Sequence, residues 1–463
     1  MNKPVICPLD GRYSKKMGSL GDYMSEASFV MARLRVETLW LEVLASLHLP
    51  DCASLTLAEK KKLRSFSSPS EKELDIIYQI EQEGYRHIPA TKHDVKAVEY
   101  FLRLSFENTS LKNRIPWIHF ALTSEDVNSA AYAMLLSDGV EKVLLPKLEN
   151  LCKKLTQLSR KEARSVFLAR THGQQAVPTT FGKEIRVFVS RLERQIRWLK
   201  KVEISFKFGG AVGNYNAHYA AFPKVDWPLV SGKLLKELNK GRKIKLYLSA
   251  VSTQVDNRDS YAFLFDALKR INTVLLDFSR DMWQYISFGL VTQKIAAAEV
   301  GSSTMPQKVN PIDFENAEGN LQLAISLSDF FAQKLPVSRL QRDLSDSTVL
   351  RNMPMAFGYS MAAYTSLESG LDKIAFNRKE ALAQVQEHPE VLAEAVQTIL
   401  RAEQISDAYE KLRDFSRGKK MTWPLWQEYI ETLSVNTRVK NKLKNLLPEN
   451  YVGIAERLAR RGK

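Results

Sequence analysis

The sequence has few of the residues that build small, cross-linked or strand-rich folds. Its 463 residues include only three cysteines, Cys7, Cys52 and Cys152, which lie far apart and form neither a CxxC motif nor a Cys/His cluster. We therefore expect neither a disulfide framework nor a structural zinc site. The same cysteine content favours a reducing, cytoplasmic location. With 20 glycines and 17 prolines, turn residues are scarce for this length, which favours long helices over many short strands.

Long hydrophobic runs are absent as well. No apolar stretch approaches the roughly 18 residues of a membrane span, and the N-terminal residues lack the apolar region of a signal peptide, so we expect neither. The charge is unbalanced, with 67 lysines and arginines against 52 acidic residues and a net charge of +15. These basic residues alternate with acidic ones along the helical stretches, a pattern typical of a solvated surface.

Apolar residues recur at helical spacing in three long segments, which are residues 144–158, 181–199 and 264–285. A helix of about 25 residues runs nearly 40 Å, so several of them predict a long helical bundle. We therefore predict an all-α protein with an N-terminal helical domain (residues 1–115), a central long-helix domain (116–371) and a C-terminal helical domain (372–463).

Four segments break this periodicity, namely residues 91–99, 119–126, 170–178 and 301–316. In the first, His93 and Asp94 stand at the start of a predicted helix, where an acidic side chain is favourable. In the second, Thr123 or Ser124 is expected to cap a helix. Hydroxyl groups and free backbone N–H groups at a helix start also form a ready site for an anion.

The third and fourth segments are candidate functional loops. His172 lies next to a glycine between two helical stretches, which predicts a kink or loop that carries a titratable group. The last segment is a glycine–serine loop of about twelve residues that holds Lys308 and Asn310. Its length and composition are typical of a lid over an active site.

Several of these segments together resemble a known family. The loop GSSTMPQKVNP (301–311) resembles the signature loop of the fumarase/aspartase superfamily, whose members eliminate fumarate from succinyl compounds. Seven further segments resemble the bacterial adenylosuccinate lyases: DGRY (10–13), HDVKAVEYF (93–101), TSED (123–126), RTHGQ (170–174), GAVGNYNAH (210–218), IDFENAEGN (312–320) and LPVSRLQRDLSDSTVLR (335–351). The segments follow the family's order along almost the whole chain, which makes the resemblance highly specific.

The resemblance implies an all-α, three-domain fumarase/aspartase-like fold. In this family the central bundle assembles into a homotetramer whose active sites draw on three subunits. The implied reaction is β-elimination of fumarate from adenylosuccinate, which leaves AMP, and from succinylaminoimidazole carboxamide ribotide, which leaves the carboxamide. Both steps belong to purine biosynthesis and need no metal or organic cofactor. The expected partners are small-molecule substrates, without nucleic acid or membrane.

The motif match also assigns roles to residues. The general base is Ser302, with Ser303 as an alternative, and Lys308 and backbone N–H groups stabilise its alkoxide. The resemblance makes His172 the general acid, a role that suits a histidine because it can donate a proton near neutral pH. The residues assigned to substrate binding are Arg12, Tyr13, Lys92, His93, Asp94, Thr123, Ser124, Gln254, Lys308, Asn310, Asn316, Arg342, Ser347, Thr348, Val349, Leu350 and Arg351.

Two alternatives remain at this stage. Gln307 stands where this family usually has histidine and argininosuccinate lyases more often have glutamine, although HDVKAVE and DFEN favour the purine substrate. The other alternative is a non-catalytic, basic helical protein that binds nucleic acid, which rests on the charge of +15. It gives no reason for the signature loop or for the separated histidines.

Overall fold

The computed structural model describes residues 5–294, 309–405, 407–417 and 421–461. Over these residues the chain is mainly helical, as the scarcity of turn residues and the three apolar stripes predicted. The strands are short and pair two at a time into four small sheets. None of the described helices is long and apolar enough to cross a membrane.

The α-helices of the described residues are α1 (Leu20–Met24), α2 (Glu26–Ala45), α3 (Leu57–Ser65), α4 (Glu71–Gln82), α5 (Asp94–Phe106), α6 (Ser124–Asp138), α7 (Leu145–Lys161), α8 (Phe181–Leu199), α9 (Asn216–Ala221), α10 (Trp227–Leu238), α11 (Asp259–Ser287), α12 (Ile312–Lys334), α13 (Ser345–Leu350), α14 (Met353–Lys373), α15 (Arg378–Gln386), α16 (Ala393–Ala402), α17 (Ala408–Ser416), α18 (Trp423–Thr432), α19 (Thr437–Lys444) and α20 (Ala455–Arg460). A π-helical turn at Gly139–Leu144 precedes α7. Short 3-10 turns lie at Ser14–Lys16, Lys112–Trp117, Pro389–Leu392 and Pro448–Asn450.

The strands form four two-stranded sheets. Antiparallel pairs join β1 (Gly84–Tyr85) to β2 (Ile88–Pro89), β3 (Val166–Thr171) to β4 (Gln174–Thr180), and β7 (Val291–Gln293) to β8 (Ile374–Phe376). The remaining pair, β5 (Ile204–Phe206) and β6 (Leu246–Leu248), is parallel.

The chain divides into two compact units. The first comprises Met1–Glu149, Gln195–Thr273 and Gly319–Thr365, and the second comprises Asn150–Arg194, Val274–Glu318 and Ser366–Lys463. The three sequence domains proposed above, with boundaries near residues 115 and 372, stay a prediction.

Helix α11, the longest of the described helices, confirms the helix predicted from the apolar residues at 264–285. Helix α11 spans 29 residues, and Leu264, Leu268, Ile271, Leu275 and Phe278 along one side of it are fully buried. Burying a side chain of this size contributes about 1.5–3 kcal/mol. The spacing of apolar residues therefore predicted both the helix and the side that it buries.

The hairpin formed by β3 and β4 was not predicted, because the sequence indicated only a loop at this place. Thr171 pairs with Gln174, so His172 and Gly173 form a two-residue turn. Both turn residues have positive φ, 52° and 76°, as a type I′ turn requires. A His-Gly pair is a weaker hairpin signal than Asn-Gly or Asp-Gly, and the strand residues next to it are polar.

The C-terminal part is also more broken than its pattern suggested. Residues 379–402 form two helices, α15 and α16, because Pro389 begins a 3-10 turn between them. In the same unit, helices α16 to α19 pack around a hydrophobic cluster that includes Trp426, Tyr429 and Leu443.

Candidate active site

The first part of the candidate site is the start of helix α5. His93 precedes the helix in an extended conformation, and its Nδ1 accepts a hydrogen bond from the backbone N–H of Lys96 at 3.3 Å. With Nδ1 as an acceptor, the neutral ring carries its proton on Nε2. Nε2 lies 3.3 Å from Oγ of Ser124 and donates to it. The start of α5 therefore orients a histidine toward the start of α6.

Asp94 holds two arginines. Its carboxylate lies 2.5 Å from Nη2 of Arg33 and 2.6 Å from Nη2 of Arg351. Burial alone raises the pKa of Asp94, but the two guanidinium groups outweigh burial and hold the pKa below its ordinary value. The Arg33 side chain is almost fully buried and the Arg351 side chain is 41% exposed. Asp94 thus fixes a solvent-facing cation in place.

Thr123 and Ser124 stand at the start of α6, as predicted. Thr123 is the residue before the helix, and its backbone N–H donates to Oδ2 of Asp126 at 2.8 Å. The backbone N–H groups of the first turn, two hydroxyls and the positive end of the helix dipole lie together here. This arrangement can bind a carboxylate.

Beneath this helix start lies a fully buried ion pair that the sequence did not single out. Oδ1 of Asp126 accepts from Nζ of Lys207 at 2.7 Å and from the backbone N–H of Gly209 at 2.9 Å. Lys207 also donates to the carbonyl oxygen of Gly210 at 2.6 Å. Gly209 and Gly210, at the beginning of the glycine-rich segment 209–213, therefore support the start of α6.

A second buried charge cluster adjoins the same turn. Nη2 of Arg258 lies 2.9 Å from Glu125 and 2.7 Å from Asp346, and all three side chains are at most 4% exposed. Burial raises the pKa of Glu125, an effect that the nearby Arg258 and Arg342 oppose. Arg342 also binds Oε1 of Gln254 at 3.1 Å. Two predicted binding residues, Gln254 and Arg342, are thus joined to each other and to the residue after Ser124.

The other predicted residues of this segment differ in exposure. Thr348 is exposed, Ser347 and Val349 are half-buried, and the Leu350 side chain is buried in the core. Leu350 can therefore contact a ligand only through its backbone, because its side chain is buried.

Close to Arg351 is a cleft of about 550 Å³, lined in part by Asp10, Ser14, Glu26 and Asn352. The N-terminal residues Arg12 and Tyr13 belong to the same chain segment as Asp10. Arg12 is exposed, and Tyr13 is half-buried and packs with Leu9 and Tyr359.

Lys92 also has a local partner. Its Nζ donates to the carbonyl oxygen of Gln82 at the end of α4, at 2.5 Å, and its backbone has a φ of 49°. The ammonium group neutralises a helix C-terminus, where a cation is favourable.

His172 lies in the second unit, exposed at the tip of the β3–β4 hairpin. Asn316 lies in the same unit, in α12, where its Oδ1 accepts from Ser366 at 2.7 Å. Asn310 is half-buried just before that helix. Ser302, its alternative Ser303, and Lys308 fall outside the described residues.

The first unit therefore brings together most of the predicted binding residues. Arg33, Asp126, Lys207 and Arg258, which hold them in place, were missed. Among these contacts, the sequence contained a local signal only for the one between Thr123 and Asp126. A carboxylate three residues after a capping threonine is typical of a helix start. The other contacts join residues that are far apart in sequence and have no local pattern.

Comparison with known proteins supplies the family. Residues 88–324 match the family model described as lyase, and residues 338–452 match the adenylosuccinate lyase C-terminal model. The chain is 44% identical to the adenylosuccinate lyase of Legionella pneumophila (strain Corby), with 98% of each chain covered. It is 40% identical to the adenylosuccinate lyase of Haemophilus influenzae, with 98% of this chain and 97% of the relative covered.

A solved structure shows the same fold. The fumarate lyase of Mesorhizobium sp. BNC1 superposes with a TM-score of 0.73 at 16% identity, over 95% of this chain and 96% of that one. The helical architecture predicted from the resemblance is thus confirmed at the level of the fold. Sequence matches over nearly the whole length and two family models agree: the chain belongs to the adenylosuccinate lyase family.

Proposed function

We propose that the chain eliminates fumarate from adenylosuccinate, leaving AMP, and from succinylaminoimidazole carboxamide ribotide, leaving its carboxamide. The observation that carries this proposal is the start of α6, where Ser124 contacts His93, whose neighbour Asp94 holds Arg351. Membership of the adenylosuccinate lyase family supports it. A substrate with two carboxylates and a phosphate needs this combination of hydroxyls, backbone N–H groups and cations.

The two ends of the substrate have different requirements. The succinyl carboxylates suit the start of α6, where the hydroxyls of Thr123 and Ser124 and the positive end of the helix dipole lie together. The phosphate suits Arg342 and Arg351, which provide the charged forks that bind phosphate well. Asp94 acts here by holding Arg351 and Arg33 rather than by touching an anionic substrate, because two carboxylates repel each other.

The elimination removes a proton from the succinyl CH2 group, the carbon adjacent to the one bonded to nitrogen, and adds a proton to that nitrogen when the C–N bond breaks. Ser302, as an alkoxide, removes a proton from the succinyl carbon next to a carboxylate. The electrons of that C–H bond form the double bond of fumarate, and the C–N bond breaks with its electron pair on nitrogen. His172 then protonates the nitrogen. The family motif supports the role of Ser302, and the exposed turn position supports that of His172.

We further propose that the chain works as a homotetramer. Large apolar side chains are exposed on its long helices, with Phe263 at 52%, Trp283 at 43% and Phe330 at 49%. Exposed apolar side chains on neighbouring helix faces mark surfaces for association. An acid exposed at the tip of a hairpin also suits a site that several copies complete. The cytoplasmic location expected from the sequence stays a prediction.

The test is a fumarate-release assay on the purified chain, with adenylosuccinate and argininosuccinate supplied separately. We expect release from adenylosuccinate alone, nearly abolished in His172→Ala and in Ser302→Ala. Release from argininosuccinate instead would make Gln307 the better guide to substrate. Release from neither substrate would contradict the proposal and favour the non-catalytic alternative.

A further inference from the structure

The bridge formed by Arg258 links two segments that the proposed function assigns to opposite ends of the substrate. On one side its Nη2 binds Glu125, the residue directly after Ser124. On the other side the same nitrogen binds Asp346, the residue directly before Ser347 in α13. The contact with Glu125, at 2.9 Å, is a charge-assisted hydrogen bond, and the contact with Asp346, at 2.7 Å, is an ion pair without hydrogen-bond geometry.

We infer that Arg258 is a positioning residue, which holds the carboxylate-binding start of α6 and the phosphate-binding segment 342–351 in one fixed arrangement. This inference rests on the proposed function. Arg258 does not contact substrate in this account, since its side chain is only 4% exposed.

The surroundings of Arg258 support such a role. Its backbone has a φ of 58°, a left-handed conformation that is unusual for a residue with a long side chain. Its backbone N–H donates to Oδ2 of Asp256 at 2.9 Å, which holds the turn before α11. The hydrogen-bonded turn therefore fixes the direction in which the Arg258 side chain extends.

The charges of the cluster balance. Two carboxylates, Glu125 and Asp346, face two guanidinium groups, Arg258 and Arg342, because Arg342 also approaches Glu125 at 3.6 Å. Removing Arg258 leaves two buried carboxylates with one partly exposed cation. The two segments would then separate or rotate, and an error of about 1 Å at a binding group costs up to roughly a hundredfold in function.

The same helix start offers a matched control. Lys207 is also fully buried and also binds the first turn of α6, through Asp126. It connects that turn to the glycine segment 209–210, however, and not to residues 342–351. A purely structural effect of losing a buried cation should appear in both variants, whereas the effect on the phosphate end should be specific to Arg258.

The experiment measures the affinities of the full-length chain for AMP and for fumarate by calorimetry, together with Tm. For Arg258→Gln we expect both affinities to fall on the order of tenfold or more, with partial recovery in Arg258→Lys. For Lys207→Met we expect a fall for fumarate with AMP affinity within about threefold of the parent. If Arg258→Gln does not fold, Arg258→Lys is read in the same way, with a smaller loss at both ends expected.

The results distinguish a failure of the proposed function from a failure of the positioning role of Arg258. A parent chain that binds neither AMP nor fumarate contradicts the proposed function itself. A parent that binds both, with a folded Arg258 variant that loses affinity for neither or for only one, overturns the positioning role alone. Equal losses of AMP affinity in the Arg258 and Lys207 variants also overturn it, because they indicate general destabilisation.

Discussion

The start of helix α6 and the tip of the β3–β4 hairpin both carry predicted site residues, yet they are built in opposite ways. At the helix start, Thr123 and Ser124 rest on two buried ion pairs, Asp126–Lys207 and Glu125–Arg258. At the hairpin tip, His172 is exposed on a two-residue turn with a left-handed backbone.

This difference indicates that the proposed binding surface at the start of α6 and the proposed acid on the hairpin depend on different structural features. In the proposed function, buried ion pairs hold the carboxylate-binding surface in place before substrate arrives. His172, the proposed acid, is exposed at the tip of a hairpin, which suits a residue that completes a site together with other copies. Substitutions in the two regions should therefore act on different quantities, stability and affinity at the helix start and turnover at the hairpin.

The largest effect is expected at the hairpin tip. His172→Asn should lower kcat by roughly 10²- to 10⁴-fold, because an amide cannot donate the proton that the leaving nitrogen needs. Asparagine tolerates the left-handed backbone at this position, so Tm should barely change. Steady-state fumarate release and thermal unfolding check the two parts. A kcat within threefold of the parent would remove His172 from the reaction.

The next effect concerns stability at the helix start. Asp126→Asn leaves the buried ammonium of Lys207 without its counter-charge, and we expect a loss of about 3–5 kcal/mol in the free energy of unfolding. Urea unfolding measures it. The matched control is Asp372→Asn, which breaks the exposed pair with Lys154 and should cost less than about 1 kcal/mol. Similar losses in the two variants would contradict the distinction between a buried and an exposed pair.

A third prediction uses pH. His218 is fully buried near the glycine segment, and burial lowers its pKa to about 4. Between an unfolded pKa of about 6.5 and this value, only the unfolded chain takes up the proton. Stability should therefore fall as the pH drops from about 6.5 to 4, by at most about 3 kcal/mol from this group.

His218→Phe should flatten that part of the stability profile, because phenylalanine fits among the surrounding Trp40 and Trp227 rings and cannot be protonated. Urea unfolding at a series of pH values tests this. An unchanged slope in the variant would assign the acid sensitivity to other groups.

The smallest effect is expected for Ser124→Ala. The side chain is half-buried and its hydroxyl bonds to the exposed His93, so stability should change by less than about 0.5 kcal/mol. The lost hydroxyl removes one hydrogen bond to a substrate carboxylate, which should raise KM by about three- to tenfold. An unchanged KM would indicate that the carboxylate binds elsewhere.

Much of the fold was visible in the sequence. Helices α7, α8 and α11 follow their apolar stripes. The starts of α5 and α6, directly after His93 and Thr123, were also predictable, because capping residues are a local signal. The β3–β4 hairpin was missed because its turn residues and polar strands give only a weak signal. Periodicity cannot predict such a short element.

The site was only half predictable for a related reason. The motif match named the residues that we propose to bind the substrate, such as Ser124, Arg342 and Arg351. It did not name Arg33, Lys207 or Arg258, whose contacts span 61 to 133 positions of sequence. Long-range charge pairs leave no pattern along the chain, so only the folded structure can show them.

The most direct test of the account is a complementation experiment between these two regions. His172→Asn and Thr123→Ala/Ser124→Ala chains are each assayed alone, then mixed, unfolded, refolded together and assayed again. Every assay uses adenylosuccinate far below the KM of the parent, where the raised KM of the double variant leaves it little activity. If different copies supply the acid and the carboxylate-binding helix start, the mixture should recover activity well above the sum of the separate variants, at about a quarter of the parent's sites for random assembly. Activity no greater than that sum, from a mixture that refolds and assembles like the parent, would contradict a site shared between copies.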